Sequence, residues 1–190
     1  MGESQAEKWR RVSSKTLTQC PMFSVKENRF VRGGNDKSVP FYIVEVPDWV
    51  NIIALTDKSE IILIKQYRQG IEEMIIEIPS GVMDKGEDPE AAARRELLEE
   101  TGYEAAEWKL LAATQPNPAL HNNRVHHFLA SGARRVREPE LDENESLQTV
   151  VRGLEDTERL IDNGTIAQSM VVAAFYYFNR LDRKNEDLTR

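Results

Sequence analysis

Between Glu77 and Tyr103 the chain reads EIPSGVMDKGEDPEAAARRELLEETGY, the stretch whose side chains and spacing are best suited to chemistry. On a helix of 3.6 residues per turn, Glu96, Glu99 and Glu100 share an arc of roughly 100°. Only the small Ala92 and Ala93 stand beside them, and Leu97 and Leu98 point toward a core. Three carboxylates on one face repel one another, so ionisation of all three at neutral pH calls for a compensating divalent cation. Carboxylate oxygens suit Mg²⁺ or Mn²⁺, ions that also bridge and neutralise phosphate oxygens. Arg95 reaches Glu99 one turn on, or Glu87 in the preceding loop, and would hold a ligand carboxylate in position. The plain alternative is a solvated, Glu-rich helix face. Against it stands the co-occurrence in one register of Gly81, Glu87, Arg95-Glu96, Glu99-Glu100 and Gly102.

The elements that must position these residues are legible around them. Asp88-Pro89 starts a helix, because Asp accepts from free first-turn amides and Pro at the first helical position gives up no needed donor. Ala91 to Glu100 are nearly all strong helix formers, and Gly102 supplies a left-handed end. Val50 to Thr56 and Ile61 to Tyr67 are rich in Ile and Leu, as strands buried on both faces are. Met74 to Ile78, Trp108 to Thr114, Val125 to Ala130 and Leu147 to Val151 read as further strands. Upstream, Trp9 to Thr16, Met22 to Arg32 and Phe41 to Val46 do the same, with Gly33 to Asp36 as a turn. Leu154 to Asn163, closed by Gly164, and Ile166 to Leu181 are amphipathic helices; Met170, Val171, Ala174, Phe175 and Phe178 form the apolar stripe of the second. Trp49 and Phe23 read as core. His126 and His127 fall on opposite faces of a strand and cannot easily ligate one ion, so they read as structural. His121 reads as structural too, although from its loop it is the histidine best placed to approach a substrate.

The order Gly81, five residues, Glu87, seven residues, Arg95-Glu96-Leu97, one residue, Glu99-Glu100, one residue, Gly102 and Tyr103 matches the Nudix box at every specified position. The chain therefore resembles the Nudix hydrolases, which cut a nucleoside diphosphate linked to another group. Gln66-Tyr67-Arg68, followed by Glu77-Ile78-Pro79-Ser80-Gly81, is similar to the ADP-ribose and nucleoside diphosphate sugar branch. Pro118 lies about where that branch carries a proline, although Ala119 to Asn123 depart from its usual Gly and acidic residue. The resemblance implies metal ligation by Glu96, Glu99, Glu100 and the Ser80 carbonyl, and substrate contact by Arg68, Glu77 and Pro118. Gly81, Glu87 and Gly102 would be structural parts of the box, with Arg95 and Glu100 in catalysis. An acidic run at Leu141 to Leu147 resembles the loop that supplies a general base and an extra ligand; Glu143 and Glu145 are the candidates. Two or three Mg²⁺ or Mn²⁺ ions would follow, and an N-terminal extension that exchanges between subunits to build a homodimer.

With 190 residues, the chain is expected to form one Nudix domain, residues 1–46 being a β extension and 47–190 the core. The fold class is α/β, an α/β/α sandwich with a mixed sheet. A net charge of -7 disfavours nonspecific binding to a nucleic-acid backbone and favours a small-molecule substrate. The single Cys20, the polar start and the lack of an apolar run of spanning length make the cytoplasm the expected compartment, with no membrane partner. The reaction expected is metal-dependent cleavage of the diphosphate of a nucleoside diphosphate sugar such as ADP-ribose. The alternatives are a Nudix pyrophosphatase for nucleoside triphosphates or capped RNA, and a non-catalytic sensing module.

Overall fold

The computed structural model describes residues 8–33, 37–141 and 146–187. By internal packing the chain divides into two units, residues 1–47 with 117–123, and residues 48–116 with 124–190. In the first unit, β1 (Trp9–Gln19), β2 (Ser24–Arg32) and β3 (Val39–Glu45) form an antiparallel sheet in that order. Every residue of β1 is exposed. Trp9 and Phe30 both meet Phe41 edge to face, with ring centroids 5.4 and 5.5 Å away. Phe23, read as core, is exposed beside the turn that joins β1 to β2. Segment 117–123 joins this unit through a bridge between His121 and Val44 and a bond from the Val44 amide to the Leu120 carbonyl.

The second unit is built on a seven-stranded mixed sheet. Its strands are β4 (Trp49–Leu55), β5 (Glu60–Arg68), β6 (Glu73–Glu77), β7 (Ser80–Val82), β9 (Glu107–Thr114), β10 (Val125–Ser131) and β12 (Leu147–Gly153). A short ribbon pairs β8 (Tyr103–Glu104) with β11 (Arg134–Arg135). The spine runs β12-β5-β4-β10-β9, and β4 with β10 is its parallel pair. Alternate residues of β4 serve opposite faces, as the two-residue period of a strand dictates. Val50, Ile52 and Ala54 pack with Ala92, Ala93 and Leu97 of α1 (Pro89–Thr101). Ile53 packs with Ile166, Val171, Ala174 and Phe175 of the opposite layer, which holds α2 (Leu154–Asp162) and α3 (Ser169–Asp187). This is the α/β/α sandwich the sequence implied.

The helix signals around α1 act as expected. Asp88 accepts from the Glu90 and Ala91 amides, and Gly102 closes the helix at φ 74°. Leu98 is only half-buried, so the core face of α1 is narrower than its leucines suggest. Ile166 is buried ahead of α3, which starts at Ser169 rather than Ile166; the Ile166 amide bonds back to the Leu160 carbonyl and is unavailable to start a helix.

Candidate active site

A split in the sheet creates the site. β4 and β5 pair only at Ala54–Ile62 and Leu55–Ile61, then diverge. β6 lies along β5 on one side of the split and β7 along β4 on the other. Ile78 and Pro79 cross between them, and the Ile52 amide holds the Pro79 carbonyl at 2.9 Å. No local signal marks β7: three residues, one of them glycine, are too short for a periodic pattern. Its pairing to β4 sets the Ser80 and Gly81 peptides beside α1.

Two contacts join that short strand to the helix. Glu100, only 5% exposed, accepts from the Ser80 amide through Oε2 at 2.9 Å. A Cβ on Gly81 would sit 2.0 Å from Glu96 Cδ, so the glycine is what admits the Glu96 carboxylate against the backbone. The bare backbone is required by the side chain facing it.

Arg95 organises the rest. Its Nε and Nη2 grip the two oxygens of Glu87 at 3.0 Å each, Nη1 donates to Glu96 at 2.8 Å and to Glu99 at 3.1 Å, and Nη2 also donates to the Val82 carbonyl at 3.1 Å. A guanidinium has five N–H donors, and all five are used. The bond from Arg95 holds the Glu87 carboxyl below the usual carboxylate range, and Glu87 holds the guanidinium proton in return. Glu87 also accepts from the Asp84 amide, closing the loop before the helix. The sequence offered Glu99 or Glu87 as partners of Arg95; the structure gives it both, and Glu96.

At the β5–β6 side, Glu77 is 1% exposed and its Oε2 accepts from Gln66 Nε2 at 2.9 Å and Arg68 Nε at 2.8 Å. Residues 66 and 68 share a face of β5, which is why both reach one carboxylate. The part played by Gln66 was missed from sequence, although its spacing from Arg68 carried the signal. Pro118 and His121 lie in segment 117–123 of the first unit. His127 is buried with Nε2 2.8 Å from Thr114 Oγ1, and His126 Nε2 is 3.5 Å from Asp48. Glu143 and Glu145 lie outside the described residues.

Among the described residues no three His, Cys, Asp or Glu side chains stand grouped as a metal cage, and Glu96 and Glu99 both accept from Arg95. The donor set nevertheless fits a hard divalent ion. It is all oxygen, it carries several negative charges, and Gly81 leaves one carboxylate unobstructed access to the backbone.

A mixed-sheet sandwich with an arginine-clamped carboxylate helix at a split between strands defines a hydrolase of the loop–helix–loop kind, and residues 47–171 match the NUDIX domain. The chain belongs to the Nudix family and is a Nudix hydrolase. It is 38% identical over 144 residues to the ADP-ribose pyrophosphatase of Bacillus subtilis (strain 168), covering 75% of this chain and 78% of that protein. It is 35% identical over 136 residues to the methanol dehydrogenase activator of Bacillus methanolicus, covering 71% and 74%. A crystal structure of an ADP compounds hydrolase superposes with a TM-score of 0.81 at 23% identity, over 94% of this chain and 96% of that one, and so shares the fold.

Proposed function

We propose that the protein is a divalent-metal-dependent pyrophosphohydrolase that cleaves the diphosphate of a nucleoside diphosphate sugar such as ADP-ribose. The products would be a nucleoside monophosphate and a sugar phosphate. The observation that carries the reading is the arrangement of three carboxylates of one helix: Glu100 on the Ser80 amide, Glu96 against Gly81, and Glu96 with Glu99 clamped by Arg95. The B. subtilis relative, named as an ADP-ribose pyrophosphatase, supports the substrate class.

Glu96, Glu99, Glu100 and the Ser80 carbonyl, with Glu145, would hold two or three Mg²⁺ or Mn²⁺ ions. Bound there, such ions neutralise phosphate charge and acidify water. Arg95 fixes the carboxylates, and Glu77 aims Arg68 at a phosphate or ribose oxygen. Glu143 or a box glutamate takes the proton of the attacking water. The new P–O bond forms as the bridging P–O bond in line with it breaks.

The same proposal includes a homodimer made through the N-terminal unit. An eleven-residue edge strand with every residue exposed, Val12 and Leu17 among them, is a surface that proteins rarely leave uncovered. A cytoplasmic location accords with Cys20, which is a free thiol. No helix among the described residues is long and apolar enough to cross a membrane.

The test is release of monophosphate, with and without Mg²⁺, from ADP-ribose, GDP-mannose, UDP-glucose, diadenosine polyphosphate, coenzyme A, nucleoside triphosphates and capped RNA. Metal-dependent cleavage of a nucleoside diphosphate sugar, reduced about 100-fold or more in Glu100→Gln, is the expected result. Activity confined to triphosphates or RNA overturns the substrate class, and a fully active Glu100→Gln overturns the site.

A further inference from the structure

Among the buried residues that β4, β5 and β10 turn toward α2 and α3, two are polar, Asn51 and His127. Asn51 on β4 stands directly opposite His127 on β10, and on its other side opposite Ser80 on β7. Residues paired across strands present their side chains to the same face, so three polar side chains form a row through the layer of Ile53, Ile61, Leu63 and Ile78. Asn51 is 1% exposed and His127 0%. Tyr177 of α3 stacks on the His127 ring at 6.5 Å and covers it.

Three atoms in this row have no hydrogen-bond partner among the described residues: Oδ1 and Nδ2 of Asn51 and Nδ1 of His127. A buried polar atom left unpaired is destabilising, and an apolar side chain of similar shape would avoid that cost. The three atoms belong to directly opposed residues. An Asn amide offers two donors and two acceptors, an imidazole nitrogen one more group, and a buried water uses about three such partners.

We propose that Asn51 and His127 Nδ1 hold an internal water, and that by fixing Asn51, the residue of β4 paired with Ser80, this water makes Asn51 a positioning residue for the Ser80 peptide. That peptide is pulled from the other face of the sheet by Glu100, which takes its amide hydrogen. The hydrated Asn51 steadies the stretch of β4 on which β7 is paired, so β7 is set by Glu100 on one face and by a fixed partner strand at its edge. The consequence for metal binding rests on the proposed function; the water and its hold on β7 do not.

The test uses the full chain with Asn51→Leu, which keeps the forked shape and removes the polar atoms, and Asn51→Ser, which supplies a hydroxyl and leaves room for water. Amide hydrogen exchange at Ser80 and Gly81 is read together with calorimetric Mg²⁺ titration. In Asn51→Leu, exchange at these two amides quickens about tenfold with melting temperature unchanged or raised, and Mg²⁺ affinity falls about tenfold. Asn51→Ser restores both. Faster exchange with unchanged Mg²⁺ affinity upholds the positioning role and removes Ser80 from metal binding. Wild-type exchange in Asn51→Leu overturns the inference. On the wild-type protein alone, cross-relaxation between water and the Asn51 side-chain amide protons is expected; its absence, with the amide bonded directly to His127, also overturns it.

Discussion

Arg68 Nε donates to Glu77 Oε2 at 2.8 Å, an oxygen that also accepts from Gln66 at 2.9 Å. The carboxylate is buried, whereas the Arg68 side chain stays 41% exposed. A guanidinium tethered at Nε is restricted in rotation and presents its far end in a defined direction. Glu77 therefore acts through Arg68. Glu77→Gln weakens the tether and raises KM about tenfold with a smaller effect on kcat, and Arg68→Lys does the same by losing the fork. Steady-state kinetics on the best substrate of the panel check this; a fall confined to kcat would contradict it.

Gly81 and Gly102 separate activity from stability. A Cβ on Gly81 meets the far end of a flexible Glu96 side chain, which can swing away. Gly81→Ala therefore keeps its melting temperature and loses activity about 10- to 100-fold as Glu96 is displaced. At Gly102, φ is 74° and a Cβ would sit 2.0 Å from the Arg137 carbonyl oxygen, which is backbone. Gly102→Ala pays both left-handed strain and the clash, and is expected to lose about 2 kcal/mol or more, read as a lowered melting temperature.

Glu87 links the box to pH. Its carboxyl is held low by Arg95, so the unfolded chain takes up this proton at a higher pH than the folded one. The stabilisation is complete above the ordinary carboxylate range and is lost as pH falls through the lowered value. Denaturant unfolding should show wild type more stable than Glu87→Gln at neutral pH. The two curves should draw together as pH falls below the ordinary carboxylate range.

His127 acts at higher pH. Burial, with His126 nearby as a lesser cause, lowers its pKa from 6.5 to about 4. Between these values the unfolded chain binds a proton that the folded one excludes, so this contribution is whole above 6.5 and is lost as pH falls to about 4. The loss is about 3 kcal/mol over that window. Urea unfolding of His127→Gln should show a flatter pH dependence there than wild type.

The exposed β1 edge carries the dimer prediction. Val12→Asp with Leu17→Asp should shift the molar mass of the full chain in light scattering from dimer to monomer. A wild-type protein that is already monomeric removes the proposal.

Much of the molecule was legible in the sequence because its signals are local. Asp88-Pro89 and Gly102 bound α1 by capping chemistry that acts within a few residues, and the spacing of Glu96, Glu99 and Glu100 puts them on one flank through helix geometry alone. The apolar runs of β4 and β5 declared buried strands for the same reason. What the sequence left undecided depends on pairing between distant segments. β7 exists because β4 and β5 part company beyond Leu55 and Ile61, leaving the edge of β4 open to three residues that have no periodic pattern of their own. Arg95 could have met Glu87 or Glu99, and the fold brought both, with Glu96 and the Val82 carbonyl, within reach of one guanidinium. Gln66 and Arg68 find Glu77 only through the β5–β6 register. Asn51, a single polar residue in an apolar strand, acquires a meaning only when His127 and Ser80 arrive on either side of it. Spacing along the chain sets which side chains share a face, whereas which faces meet is settled by long-range strand pairing, whose partners no local pattern encodes.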